Sequence, residues 1–126
     1  MARILLIEDE PNIQRLICYA LQTKGHDVSV AQDGNDGLQV ARAKTPDLIL
    51  LDMVMPEMSG MEVLMSLKGD SSLKSIPVLI VTASAQKEEA EKAIELGAAD
   101  YLIKPFHVQD LHEAVMDLLG HVPDTP

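Results

Sequence analysis

Leu48-Ile49-Leu50-Leu51-Asp52 sets four consecutive aliphatic residues directly before an acid. The run is too short for a helix and does not alternate with polar residues. It reads as a strand buried on both faces, which in soluble proteins belongs to a parallel sheet covered by helices on each side. Working outward, Ile4-Leu5-Leu6-Ile7 runs into Glu8-Asp9-Glu10, and Val78-Leu79-Ile80-Val81 runs into Thr82. Tyr101-Leu102-Ile103 ends at Lys104, and the more polar Asp27-Val28-Ser29-Val30 reads as an edge strand.

Helical patterns lie between and after these runs. Ile13, Leu16, Ile17, Ala20 and Leu21 share one helix face, as do Val108, Leu111, Val115, Leu118 and Leu119. Leu38 with Ala41, Met61 with Leu64 and Met65, and Ala90 with Ala93 and Ile94 mark three shorter helices. Pro11 suits a first helical turn, where its missing N–H costs nothing. Ser59-Gly60-Met61-Glu62 reads as a capping box. Asp33-Gly34-Asn35-Asp36-Gly37 reads as a turn leading into the second helix. Five strand–helix units in about 120 residues predict one α/β domain, a doubly wound five-stranded parallel sheet with helices on both faces.

Composition agrees with one soluble domain. The chain has 126 residues, 47% apolar and 24% charged, with a net charge of −10. That charge repels nucleic-acid phosphates and anionic membranes, so neither is an expected direct partner. Cys18 is the single cysteine, so no intrachain disulfide forms and nothing points to secretion. No apolar run is long enough to span a bilayer. Met1-Ala2-Arg3 leads straight into a strand, leaving no room for a signal peptide; the expected location is cytoplasmic. Residues 1–120 are expected to form the domain, and residues 121–126 a tail or the start of a linker.

What ends each strand is the chemical signal. In an open parallel sheet the carboxyl ends share one edge, where ligands bind at the reversal of strand order. Glu8, Asp9, Asp52, Thr82 and Lys104 are thereby delivered to one crevice. Two carboxylates 4 Å apart repel by roughly 4 kcal/mol at an effective dielectric near 20. A hard divalent cation with oxygen ligands, Mg²⁺, is the natural compensation. A carboxylate nucleophile, a divalent cation, an ammonium and a hydroxyl are the parts of phosphoryl transfer. Taken singly, without Asp52, Thr82 and Lys104, Glu8-Asp9-Glu10 reads better as acids favouring a helix N-terminus. The methionines at 53, 55, 58, 61 and 65 read as core filling, the four histidines as surface residues, and Cys18 as a buried thiol.

Ile7-Glu8-Asp9-Glu10, Leu51-Asp52 through Ser59-Gly60, Val81-Thr82-Ala83 and Lys104-Pro105-Phe106 together resemble the receiver domain of bacterial two-component response regulators. The resemblance spans residues 2 to 119. It implies a flavodoxin-like sheet of order 2-1-3-4-5. It implies that Asp52 is phosphorylated by a histidine kinase or histidine phosphotransfer protein, and that Mg²⁺ is placed by Glu8, Asp9, Asp52 and the Val54 carbonyl. Thr82 and Lys104 would contact the phosphoryl group, Thr82 and Tyr101 would act as the switch, and Pro105 would follow a cis peptide. Glu8 stands where aspartate is commoner. Val54 and Ser84 would flank the water route that tunes phosphoryl lifetime. The output protein or domain is unknown, and both a free-standing receiver and the start of a longer regulator remain open. Such a domain is no turnover enzyme; at most it phosphorylates and dephosphorylates itself.

Two rival readings share parts of the pattern. A haloacid-dehalogenase-like phosphatase needs a second aspartate two residues after the nucleophile, and Val54 stands there. A flavodoxin-like redox carrier needs hydroxyls and free N–H groups after the first strand, where this chain has Glu8-Asp9-Glu10-Pro11.

Overall fold

A computed structural model describes residues 2–120. Five strands, β1 (Arg3–Ile7), β2 (Asp27–Ala31), β3 (Leu48–Leu51), β4 (Val78–Ala83) and β5 (Asp100–Lys104), alternate with five helices. These are α1 (Pro11–Gln22), α2 (Gly34–Lys44), α3 (Gly60–Lys68), α4 (Lys87–Glu95) and α5 (Val108–Leu118). All pairings are parallel and the sheet order is β2-β1-β3-β4-β5. β2, as its polarity implies, is an edge strand, and β5 is the other.

The unbroken apolar runs follow from burial on both faces. On one face Leu5, Ile7, Ile49, Leu51, Val78 and Ile80 pack against Leu38, Ala41, Val63, Leu64, Leu67, Ala90 and Ala93 of α2, α3 and α4. On the other, Ile4, Leu6, Leu48, Leu50, Leu79 and Val81 meet Ile17, Ala20, Leu21, Leu111, Ala114 and Val115 of α1 and α5. Each buried Leu, Ile or Val among them contributes about 1.5–3 kcal/mol on leaving water.

Local sequence sets the helix starts. Pro11 is the first residue of α1, and the Glu10 carboxylate caps it by accepting from Ile13 N–H at 2.8 Å. The Ser59/Glu62 capping box is present in α3. The 33–37 segment departs from the expected turn. Asp33 caps the helix through Asp36 N–H, and α2 begins at Gly34, so Gly37 lies inside it. Packing explains a glycine there: a Cβ on Gly37 would lie 2.5 Å from Ile7 Cδ1, so only a bare backbone lets α2 settle on β1.

Three other expectations need correction. Met53 and Met55 are buried, whereas Met65 is 58% exposed on the outer side of α3. Cys18 is half-buried beside the α1 core face, and burial raises its thiol pKa. His26 is no simple surface residue: it is half-buried, and its Nδ1 is a buried polar atom without a hydrogen-bond partner. The tail expected over residues 121–126 lies outside the described residues.

The β3–α3 connection carries the tightest packing near the crevice. Glu57 has a left-handed backbone (φ 71°), and the returning chain brings Gly60 N–H onto the Met53 carbonyl at 2.9 Å. A Cβ on Gly60 would lie 2.3 Å from the Asp52 carbonyl oxygen. Gly60→Ala must therefore displace backbone, at a cost of roughly 1–3 kcal/mol. Chemical denaturation should show that loss; an unchanged midpoint would contradict the close approach.

His26 generates a pH dependence. Burial, foremost, and the nearby His112 hold its pKa below the ordinary 6.5. The unfolded chain then binds more protons, so the contribution is present above the unfolded value and is lost as pH falls toward the folded one. Urea unfolding at about pH 7.5 and about pH 5.5 should show wild type losing more stability than His26→Gln. An equal loss in both would remove His26 as the cause.

Candidate functional site

The strand order reverses between β1 and β3, and the two strands are tied there by a backbone hydrogen bond. Asp52 N–H donates to the Ile7 carbonyl at 3.1 Å. The residue after β1 and the residue after β3 are thus neighbours by register, Ile7 opposite Leu51. Oxygens of Glu8, Asp9 and Asp52 all lie within 4.8 Å of one another. Thr82 and Lys104 arrive from β4 and β5, where Thr82 pairs with Ile103 and Ala83 with Lys104.

The acidic triplet of the sequence divides between two jobs. Glu10 serves the helix as its cap, while Glu8 and Asp9 face the crevice. Glu8 is 1% exposed, Asp52 7% and Thr82 0%, whereas Asp9 is open to solvent. Asp52 Oδ1 accepts from the Thr82 hydroxyl and from Val54 N–H, each at 3.3 Å. Lys104 Nζ lies 3.0 Å from Glu8 Oε1 and 3.7 Å from Asp52 Oδ2. Burial, and then the Asp52 charge, push the Glu8 carboxyl above its ordinary pKa; Lys104 and the Glu10 amide pull it back in part.

The remaining candidate residues lie around this centre. The Val54 side chain is exposed at the mouth, and Ser84 opens a short 3₁₀ turn (Ser84–Gln86) after β4. Lys104–Pro105 is cis. Tyr101 is not among the crevice residues. It is half-buried on β5 opposite Ile80, with its hydroxyl donating to Glu91 of α4 at 3.4 Å. Gly60 is a site-supporting residue whose role the capping pattern alone did not reveal. The signal was its place eight residues after Asp52, at the start of a helix that must fold back onto that strand end.

All three clustered acids offer hard oxygen donors and one ammonium neutralises only part of their charge, a donor set that fits Mg²⁺. Without the metal, their repulsion is stored in the fold. Asp9→Asn removes one charge and no hydrogen bond, so its metal-free melting temperature should rise by a few degrees, about 1 kcal/mol. Wild type should gain about 2.7 kcal/mol from Mg²⁺ at a hundred times its dissociation constant, and Asp9→Asn much less. A variant that melts lower than wild type and gains as much from Mg²⁺ would contradict the crowded-carboxylate account.

Comparison with known proteins agrees with this geometry. The family model described as the response regulator receiver domain matches residues 4–116. The DNA-binding dual master transcriptional regulator RpaA of Synechocystis is 39% identical over 126 residues, all of this chain and 52% of that protein. Protein PilH of Pseudomonas aeruginosa is 36% identical over 120 residues, 95% of this chain and 99% of that one. Against RpaA, and against the response regulator ArlR of Staphylococcus saprophyticus, the chain spans about half the relative's length. Among solved structures, the Vibrio cholerae chemotaxis protein CheY4 superposes with a TM-score of 0.87 at 30% identity, covering 94% of this chain and 98% of that one. A putative response regulator from Chloroflexus aurantiacus gives 0.90 at 27% identity, with the same coverages.

Proposed function

The chain belongs to the response regulator receiver domain family, and from that premise we propose that Asp52 is its phosphoacceptor. The observation that carries this reading is the convergence on one nearly buried carboxylate of a hydroxyl, an ammonium and two further acids. The donor is a phosphohistidine of a kinase or phosphotransfer protein. An Asp52 oxygen attacks phosphorus and the P–N bond breaks. The imidazole nitrogen leaves with that electron pair and takes a proton, and an acyl phosphate remains on Asp52.

Asp9, Asp52 and the Val54 carbonyl, with Glu8 beside them, would hold Mg²⁺. Bound there, that ion supplies positive charge to the phosphoryl oxygens. Lys104 and the Thr82 hydroxyl add a cation and a donor against the same oxygens. The domain comprises residues 1–120, acts as a signalling acceptor with at most self-phosphorylation and self-dephosphorylation, and works in the cytoplasm. Among the described residues no helix is long and apolar enough to cross a membrane. With a net charge of −10 it binds no nucleic acid itself, and passes its state to a separate output protein or domain.

The switch runs from Thr82 to Tyr101. Phosphorylation gives Thr82 a stronger acceptor than its present 3.3 Å bond to Asp52. As Thr82 turns toward it, Tyr101 gives up Glu91 and turns inward, remodelling the α4–β5–α5 surface. Differential contacts of this kind bias an existing equilibrium between two states.

One experiment tests acceptor and switch together. A Tyr19→Phe chain, in which Tyr101 is the only tyrosine and the chain has no tryptophan, is treated with phosphoramidate and Mg²⁺. Intact mass should rise by one phosphoryl group, and quencher access to Tyr101 should fall. A mass increase surviving in Asp52→Asn would overturn the acceptor assignment; unchanged quenching of the phosphorylated chain would overturn the switch.

A further inference from the structure

The three acids of the crevice are not equivalent. Both Glu8 oxygens are engaged: Oε1 accepts from Lys104 Nζ at 3.0 Å, and Oε2 from Glu10 N–H at 3.1 Å. The Glu8 carbonyl also accepts from the Gln14 side-chain amide, which ties the residue to α1. The Asp9 carboxylate is exposed and has no hydrogen-bond or ion-pair partner among the described residues. Asp52 lies between these extremes. Its Oδ1 takes the Thr82 and Val54 donors, while Oδ2 is 3.7 Å from Lys104 Nζ, beyond hydrogen-bonding distance.

The geometry points to Glu8 as a positioning residue for Lys104: it draws the ammonium off Asp52, leaving Oδ2 unbonded for attack and the cation seat to Asp9 and Asp52. This rests on the reading of Asp52 as phosphoacceptor. An ammonium hydrogen-bonded to the attacking oxygen would occupy a lone pair, and a charge-assisted bond of that kind is about twice as strong as a neutral one. Held at 3.7 Å, Lys104 leaves the lone pair free yet stays close enough to meet the oxygens of an incoming phosphoryl group. Side-chain length matters. Two strands, β3 and β4, separate β1 from β5, so at about 4.8 Å per strand their ends are about 14 Å apart. A glutamate and a lysine, both long, meet across that gap. In this arrangement the Glu8–Lys104 pair persists when the divalent cation binds, because neither Glu8 oxygen is called on as a ligand.

Phosphorylation by phosphoramidate, followed against Mg²⁺ concentration in wild type, Glu8→Gln, Lys104→Gln and the double variant, separates the possibilities. Glu8→Gln leaves Lys104 the Asp52 carboxylate as partner, and a thermal melt checks that each variant folds. At saturating Mg²⁺ the Glu8→Gln rate should stay at least about tenfold below wild type, because the defect lies in Lys104 and not in metal affinity. In the Lys104→Gln background the same change should alter the rate less than about twofold. Recovery of the wild-type rate at high Mg²⁺ would make Glu8 a cation ligand only and overturn the proposal. An undiminished Glu8 effect without Lys104 would overturn it too. A second readout is independent of phosphoryl transfer: the Lys104 ammonium of wild type should show slow proton exchange by ¹⁵N NMR with and without Mg²⁺, and in Glu8→Gln its resonance should shift as it moves onto Asp52. Loss of that protection when wild type binds Mg²⁺ would overturn the persistence of the pair. Wild type that takes no phosphoryl group on Asp52 would instead sink the acceptor reading itself.

Discussion

The pairing of β1 with β3 is the constraint from which the rest of this molecule follows. β1 reaches β2 on one side and β3 on the other, so the sheet grows in both directions from that seam. The seam places Ile7 and Leu51 side by side in the core, and the very next residues, Glu8 and Asp52, are buried acids. Apolar side chains stop and charge begins within one residue on two adjacent strands, while both acids are still buried. A slip of one position would turn every inward side chain of β1 to the opposite helix layer. It would also carry Glu8 away from Asp52. Core packing therefore sets the position of the acids to within a fraction of a residue step.

Helix layers hold that seam from both sides with little tolerance. Gly37 lets α2 lie on Ile7, and Gly60 lets the start of α3 rest on the backbone of Asp52. The Asp52 carboxylate is thus buttressed through its main chain, while among the described residues its side chain keeps two long hydrogen bonds of 3.3 Å. Rigidity in the backbone and looseness in the carboxylate suit the phosphoacceptor role proposed for Asp52.

Much of this was legible in the sequence because burial on both faces of a strand leaves an unmistakable run of aliphatics. Ile4 to Ile7, Leu48 to Leu51 and Val78 to Val81 announced the parallel sheet, and the residues that ended them announced the crevice. Less legible was anything decided by distance between elements. Gly34 and Gly37 look like turn residues until α2 is seen against Val63 and Met58 at the first and Ile7 at the second. Met65 has the spacing of a core residue but sits past the edge of the α3 contact face. The choice of Lys104 between Glu8 and Asp52 depends on an interval of 3.0 against 3.7 Å, which no residue pattern encodes. His26 was read as solvated because isolated histidines usually are, yet its Nδ1 is buried.

Both outer strands of the sheet carry charge at their ends. β2 opens with Asp27, and the Lys44 ammonium donates to Ser29 on its outer half at 3.0 Å. β5 opens with Asp100 and closes with Lys104, followed by a proline that offers no N–H. An open five-stranded sheet has two unpaired edges, each a template on which a foreign strand could add. Here a strand adding at β2 would have to bury the exposed Asp27 carboxylate, and one adding at β5 the exposed Asp100 carboxylate. The polar edge residues that made β2 recognisable are thus also a safeguard of solubility, keeping a highly aliphatic sheet from polymerising edge to edge.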